Sequence, residues 1–154
     1  METAFKKILP ADVFVSVFKR DRSNDEWWTG AVVNAAGNRP SGNEFIDIFA
    51  SLIRKHQKKS LLFYAKQMGV SSEQLSQYVR VMSGMSAQEW MNGYLNLEAR
   101  ELLEESDKKI HEIARFLGFS QSAFSQFFLR QNKCSPYECR CLKLYGKKIR
   151  YHYD

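Results

Sequence analysis

Two glutamines, Gln77 and Gln126, are the side chains of this chain best suited to recognise a partner. Each directly follows a serine (Ser76, Ser125) and each stands eight residues beyond a glycine (Gly69, Gly118). A glutamine amide carries both donors and an acceptor, so it can meet a complementary donor–acceptor edge with two hydrogen bonds at once. That is readout chemistry with no covalent step. Side chains that could react are poorly arranged by contrast. Cys134, Cys139 and Cys141, with His152, follow a C-x4-C-x-C spacing, which matches none of the usual paired zinc ligands. An odd number of cysteines fits a compartment that keeps thiols reduced, and no structural disulfide is expected. His56 and His111 have no partner at ligand or catalytic spacing and read as surface residues. G-x-S-x-G, a phosphate-cradling glycine loop and H-E-x-x-H are all missing from the sequence, so we expect neither an enzyme nor a cofactor or metal protein.

The glutamines belong to a duplication. Ala65-Lys-Gln-Met-Gly-Val-Ser-Ser-Glu-Gln-Leu-Ser-Gln-Tyr-Val79 lies 49 residues before Ala114-Arg-Phe-Leu-Gly-Phe-Ser-Gln-Ser-Ala-Phe-Ser-Gln-Phe-Phe128. In this register Ala65, Gly69, Ser71, Ser76 and Gln77 meet their own kind, and Ser86 and Glu89 later meet Ser135 and Glu138. Apolar positions also coincide: Met68 with Leu117, Val70 with Phe119, Leu75 with Phe124, Val79 with Phe128. Two copies are too few for a solenoid, which needs three. Each copy instead reads as two short helices about a glycine turn, a helix-turn-helix.

The remaining elements position these units. Val13, Val15 and Val17 alternate with Phe14, Ser16 and Phe18, and Trp27-Trp28 precedes Ala31-Val-Val33. One or two strands are therefore expected in an N-terminal extension, residues 1–41. Asn34–Gly42 is a loop by composition. A lone hairpin is marginally stable, so the extension either packs on the helical part or dimerises. Phe45, Ile46, Phe49, Leu52 and Ile53 share one helix face, followed by the basic run Arg54–Lys59. Ser60 is positioned to cap the next helix. Ser71-Ser-Glu-Gln74, Ser86-Ala-Gln-Glu89 and Ser135-Pro-Tyr-Glu138 are capping boxes, and Asp107 is a candidate cap between them. Leu75, Tyr78, Val79 and Met82 are expected to point inward, as are Phe124, Phe127 and Phe128. The fold class is thus all-α: two helix-turn-helix units, about 42–85 and 106–146, joined by a linker helix over about 86–105. A basic tail, 147–154, follows.

Apolar content of 44% and charged content of 26% are globular values rather than those of a disordered chain. No apolar run approaches the roughly 18 residues of a membrane span, so a cytoplasmic protein is expected, with no membrane partner. The net charge of +6 is unevenly distributed. Residues 54–80 hold 6 basic and 1 acidic groups and residues 107–154 hold 10 and 4, whereas residues 81–106 hold 1 and 5. Two basic units about an acidic spacer suit a polyanion touched at two places. The phenylalanines and tryptophans fall at helical spacing on inward faces, as a bundle core requires, rather than forming a stacking platform for single strands.

These motifs resemble the DNA-binding domain of the AraC/XylS family of bacterial transcription regulators. The resemblance covers about residues 42–142. It rests chiefly on Lys109-Ile-His-Glu-Ile-Ala-Arg-Phe-Leu-Gly-Phe-Ser120, Phe124-Ser-Gln-Phe-Phe128 and Ser135-Pro-Tyr-Glu138. Leu97-Glu-Ala-Arg-Glu-Leu-Leu103 is similar to the family's linker helix. The resemblance implies a seven-helix domain that binds duplex DNA as a monomer, placing two recognition helices in successive major grooves. It also implies a bacterial, cytoplasmic regulator, and many members contact RNA polymerase. The sequence departs from the family in four ways. Gln77 and Gln126 stand where arginine or lysine is usual, and the turn before Phe124 is one residue shorter. Cys139 replaces a tyrosine, and the first 40 residues lack the usual sensor domain, as in a short regulator or a piece of a longer chain.

On this resemblance the DNA-binding residues are Ser72, Glu73, Ser76, Gln77 and Arg80 in the first unit, and Gln121, Ser122, Ser125, Gln126 and Arg130 in the second. Gln77 and Gln126 would read base edges, glutamine favouring adenine where arginine favours guanine. Ser76 and Ser125 are as well suited to phosphate or sugar. Glu73 would accept from cytosine, or simply favour a helix N-terminus. Lys66, Arg80, Lys108, Lys133 and Arg140 are expected to pair with phosphates. A linker helix of roughly 18 residues is about 27 Å long, against about 34 Å between successive grooves on one DNA face.

Overall fold

Short polar side chains set where nearly every helix begins. The computed structural model describes residues 7–14, 41 and 43–142, and among these it contains eight helical segments and no strand. They are α1 (Pro10–Val13), α2 (Glu44–His56), α3 (Leu61–Gln67), α4 (Ser72–Ser83), α5 (Ala87–Glu105), α6 (Ile110–Leu117), α7 (Gln121–Asn132) and α8 (residues 136–142). Asn43 caps α2 by accepting from the Ile46 amide at 3.0 Å, and Ser60 caps α3 through Phe63 at 3.1 Å. The three expected capping boxes are all closed. Ser71 and Gln74, Ser86 and Glu89, and Ser135 and Glu138 each exchange a reciprocal pair of bonds between 2.9 and 3.0 Å. Pro136 occupies the first position of α8, where a missing N–H costs nothing. Asp107 is not a cap. Helix α6 starts later, after Lys109, whose amide donates to Glu112 Oε1 at 2.8 Å. Ser106 fills the connection instead, donating to the Leu102 carbonyl at 2.6 Å.

The chain forms two compact units that divide between Leu95 and Asn96, inside α5. In the first, Ile46, Phe49, Ile53, Tyr64, Leu75, Val79, Trp90 and Leu95 are fully buried. Phe49 stacks on Trp90 at 5.5 Å and meets Tyr64 edge-on at 5.8 Å. Helix α2 ends at Gln57, whose φ is +64° and whose amide donates to Ile53 O at 2.7 Å. The Tyr64 hydroxyl donates to the carbonyl of that same residue.

Residues 7–14 are part of this unit. The Ile8 amide donates to Met82 O at 3.0 Å, and the Trp90 indole donates to Ile8 O at 2.9 Å. Pro10 lies against Gly93, where a Cβ would come within 3.1 Å of the proline ring. Val13 and Phe14 are buried, and Phe14 meets Tyr94 edge-on at 5.5 Å. These contacts resolve one expectation and correct another. The beginning of the extension packs on the helical part, and Val13 closes a helical turn instead of opening a strand. Residues 15–40, with the remainder of the expected strands, lie outside the described residues, as do His152 and the basic tail. Arg54, the first residue of the basic run, is 1% exposed. Its guanidinium lies 5.2 Å from the Phe14 ring centre and 5.6 Å from that of Tyr94, a cation–π arrangement.

In the second unit Ile113, Ala114, Leu117, Phe124 and Phe128 form the core with Ala99, Leu102 and Leu103 of α5. Phe119 packs on Phe127 at 4.8 Å and on Phe124 at 5.8 Å. Asn132, at the end of α7, exchanges bonds of 2.7 and 3.2 Å with Asn96, and Arg100 donates to it at 2.9 Å.

Phe14→Ala should lower the stability of the first unit by roughly 3 kcal/mol, the usual cost of truncating a buried phenylalanine. Urea unfolding monitored by tryptophan fluorescence measures it. A loss below about 1 kcal/mol, the scale of ordinary surface substitutions, would mean that residues 7–14 are not packed as described.

Candidate nucleic-acid interface

Both units turn between their helices in the same way. In the first, Gly69 has φ +73°, the Val70 amide donates to Ala65 O at 2.9 Å, and the Gly69 amide donates to Lys66 O at 3.2 Å. In the second, Gly118 has φ +91°, Phe119 donates to Ala114 O at 2.8 Å, and Gly118 donates to Arg115 O at 3.1 Å. This pair of bonds is a Schellman motif, and it returns to the solvent-facing carbonyls of a helix end two of the donors they lack. The chain then runs one apolar residue, Val70 or Phe119, to the serine that caps the following helix. Ser71 accepts from Gln74 at 3.0 Å and Ser120 accepts from Ala123 at 3.2 Å. The first cap is reciprocal. The second is not, because alanine stands where the first has Gln74.

The spacing after the cap decides what each helix shows. On α4 Leu75 and Val79 are buried, while Glu73, Gln77 and Arg80 are exposed and Ser72 and Ser76 half-buried. On α7 Phe124, Phe127 and Phe128 are buried, while Gln121, Ser122, Gln126 and Arg130 are exposed and Ser125 half-buried. Residues three and four apart are neighbours on a helix surface. Glu73, Gln77 and Arg80 thus share one outward stripe, and Ser122, Gln126 and Arg130 share one on α7, in which Arg130 matches Val81 rather than Arg80. Ser76 and Ser125 sit at the flank of each stripe. Gln74 is exposed, but its side-chain oxygen is held by the Ser71 amide at 2.9 Å.

The cations expected to meet phosphate differ in how free they are. Lys66, Lys108 and Lys133 are exposed, and Lys133 follows α7 with φ +65°. Arg140 is half-buried and engaged elsewhere, donating to the carbonyls of Leu103, Ser106 and Leu102 at 2.9, 3.2 and 3.4 Å. Its visible work is to close the C-terminus of α5, where a cation suits the helix dipole. Glu112 sits at the opposite kind of end: the Lys109 amide it accepts from holds its carboxyl below the usual range. Burial, then Lys55 and Lys59, lowers the pKa of His56. That histidine is half-buried with its ring 5.0 Å from Phe63, whereas His111 is exposed as expected.

Three features escaped the sequence. Tyr78 faces out rather than in: it stacks on Phe45 at 4.1 Å and accepts from Asn43 Nδ2 at 3.4 Å. Val81 and Leu129 are 68% and 52% exposed on the outward sides of α4 and α7. A helical wheel finds the last two once the caps fix each helix start. Nothing local signals that an exposed tyrosine will be roofed by a residue 33 positions earlier.

A model of the helix-turn-helix domain matches residues 64–141, spanning both turns and both capped helices. The chain belongs to the AraC-type helix-turn-helix family, whose members are DNA-binding transcription regulators and not enzymes. Among solved structures it is similar to the C-terminal domain of AraT, a response regulator from Geobacillus stearothermophilus. Identity is 29%, the match covers 62% of this chain and 83% of that one, and the TM-score is 0.58. It is similar also to the DNA-binding domain of AdpA, a global transcriptional factor solved in complex with a target DNA. There identity is 25%, coverage 68% and 92%, and the TM-score 0.58. An AraC-type regulator from Chromobacterium violaceum, at 24% identity, 65% and 92% coverage and a TM-score of 0.57, shares the fold. No curated protein matches the chain. Among the described residues no helix is long and apolar enough to cross a membrane.

Gly69→Ala isolates the cost of the turn itself, because nothing lies within 4 Å of the position its Cβ would take. We expect a loss of about 1–2 kcal/mol, the cost of a left-handed conformation for a residue with a Cβ. Chemical denaturation that found the variant as stable as the parent would contradict the assigned turn.

Proposed function

We propose that this chain is a sequence-specific regulator of transcription that reads duplex DNA through α4 and α7, each lying in one of two successive major grooves. The observation that carries the reading is the matched exposure of Gln77 and Gln126. Two helices that begin with the same serine, after the same glycine turn, present the same amide to solvent at the same position. A helix placed with its N-terminal half in the major groove brings such side chains to base edges. Gln77 and Gln126 then read adenine through its N6 and N7, and Glu73 accepts from cytosine. Ser72, Ser76, Gln121, Ser122 and Ser125 hold sugar and phosphate or add base contacts. Arg80, Arg130, Lys66, Lys108 and Lys133 neutralise phosphates. Arg140, already spent on α5, contributes there only by keeping α8 in place.

The nineteen residues of α5 span about 28 Å, a length compatible with readers one DNA turn apart. DNA binding belongs in this reading to residues 42–146, acting as a monomer in a bacterial cytoplasm, with RNA polymerase as a further partner. The competing possibility is a degenerate copy of the domain that holds a protein partner or binds DNA without choosing sequence. The acidic Glu73 on the first stripe and the two uncharged glutamines give it substance.

Gel-shift competition with random duplex at moderate salt separates the two, since only a sequence-reading protein keeps its preferred duplex against excess competitor. Affinity should also fall steeply with salt. Gln126→Ala is expected to lose about 1–3 kcal/mol of discrimination at a single base pair. Lys133→Ala should weaken all duplexes alike. If Gln126→Ala also weakened every duplex by the same factor, base readout by that residue would be wrong.

A further inference from the structure

Leu129 has no reason to face water on so polar a stripe, yet half of its surface does. It lies three residues after Gln126, and the exposed Ala123 lies three residues before. Gln126 is therefore flanked on its own helix face by two apolar side chains. The first reader is built differently at both matched positions. Arg80 stands where the second has Leu129, and Gln74, tied to the Ser71 amide, stands where the second has Ala123. The duplication thus keeps the glutamine and exchanges its neighbours: Arg80 and the exposed Val81 follow Gln77 at three and four residues, whereas the exposed Leu129 and Arg130 follow Gln126 in the opposite order.

In the major groove the partner of adenine offers the one apolar group that any base pair presents there, the thymine methyl, and alanine and other apolar side chains pack on it. Resting on the DNA-reading function proposed above, we infer that α7 recognises A·T pairs as units. Gln126 takes the adenine edge while Leu129 and Ala123 cover thymine methyls of that pair and its neighbour. In the first reader the apolar side chain beyond Gln77 is Val81, four residues on, and Arg80 takes the position that matches Leu129. The two readers accordingly place their apolar and charged flanks differently, and the methyl contact inferred for α7 is the one under Leu129 and Ala123.

The test uses the full chain and the duplex it enriches from a random library. Each thymine of that duplex is replaced singly by deoxyuridine, which removes the methyl and leaves the pairing edge unchanged, and Kd is measured by fluorescence anisotropy at one salt concentration. At one or two thymines, next to the pair at which Gln126→Ala loses discrimination, affinity should fall about fourfold, the worth of one buried methyl-sized group. At the thymine under Leu129 that sensitivity should vanish in both Leu129→Ala and Leu129→Gln, at one under Ala123 it should remain, and both should persist in Arg80→Ala. The inference is overturned if no thymine in that half-site responds, or if the response is unchanged by either Leu129 substitution. It is overturned too if Leu129→Ala and Leu129→Gln leave DNA binding untouched altogether, as a protein-docking leucine would. A library that enriches no duplex defeats the DNA-reading function itself, and this inference with it.

Discussion

Everything the two units display depends on two backbone hydrogen bonds made around one left-handed glycine. Only with Gly69 and Gly118 at positive φ can Val70 and Phe119 reach back to Ala65 and Ala114. The turn is then so short that a single residue separates the end of one helix from the serine cap of the next. That fixes the phase of α4 and α7. Every third or fourth residue from the cap falls on the core, and the intervening positions, including Gln77 and Gln126, fall outside. The outward chemistry is therefore a consequence of where the glycine sits, and a shift of one residue in the turn would rotate each face by about 100°.

Around this shared device the units solve their packing differently. The first stacks Phe49, Trp90 and Tyr94 and accepts residues 7–14 as an added layer, tied by Ile8 to the last turn of α4. The second is filled by phenylalanines 119, 124, 127 and 128, and polar side chains fasten its edges. Asn132 joins the end of α7 to Asn96, and Arg140 closes α5. Burial raises the pKa of Cys139, which fits a small core residue more than a reactive thiol. The same helix-turn-helix is thus held by an aromatic stack in one unit and by a phenylalanine cluster with polar clasps in the other. Their outer stripes are free to diverge, as Arg80 and Leu129 have done.

What the sequence made legible is what local physics decides. Serine caps, capping boxes and the glycine turns involve partners within six residues, and their registers repeat, so both readers and the exposure of the two glutamines follow from spacing alone. What it hid depends on contacts made far along the chain. The Trp90 indole meets Ile8 82 residues away, and that contact helps place Val13 in a docked helical turn. Arg54 looks like one more lysine-rich surface charge until Phe14 and Tyr94 are seen beneath it. Arg140 looks like a phosphate ligand until the carbonyls ending α5 claim it. Asp107 lost the cap of α6 because Glu112 reaches back from within the helix and so places its start two residues later.

Hydroxyl-radical footprinting of the full chain on its selected duplex decides whether both helix-turn-helix units engage one side of a double helix. Two protected patches about 10 base pairs apart, on the same face of the DNA, are the expected result. A single patch, or two on opposite faces, would contradict it.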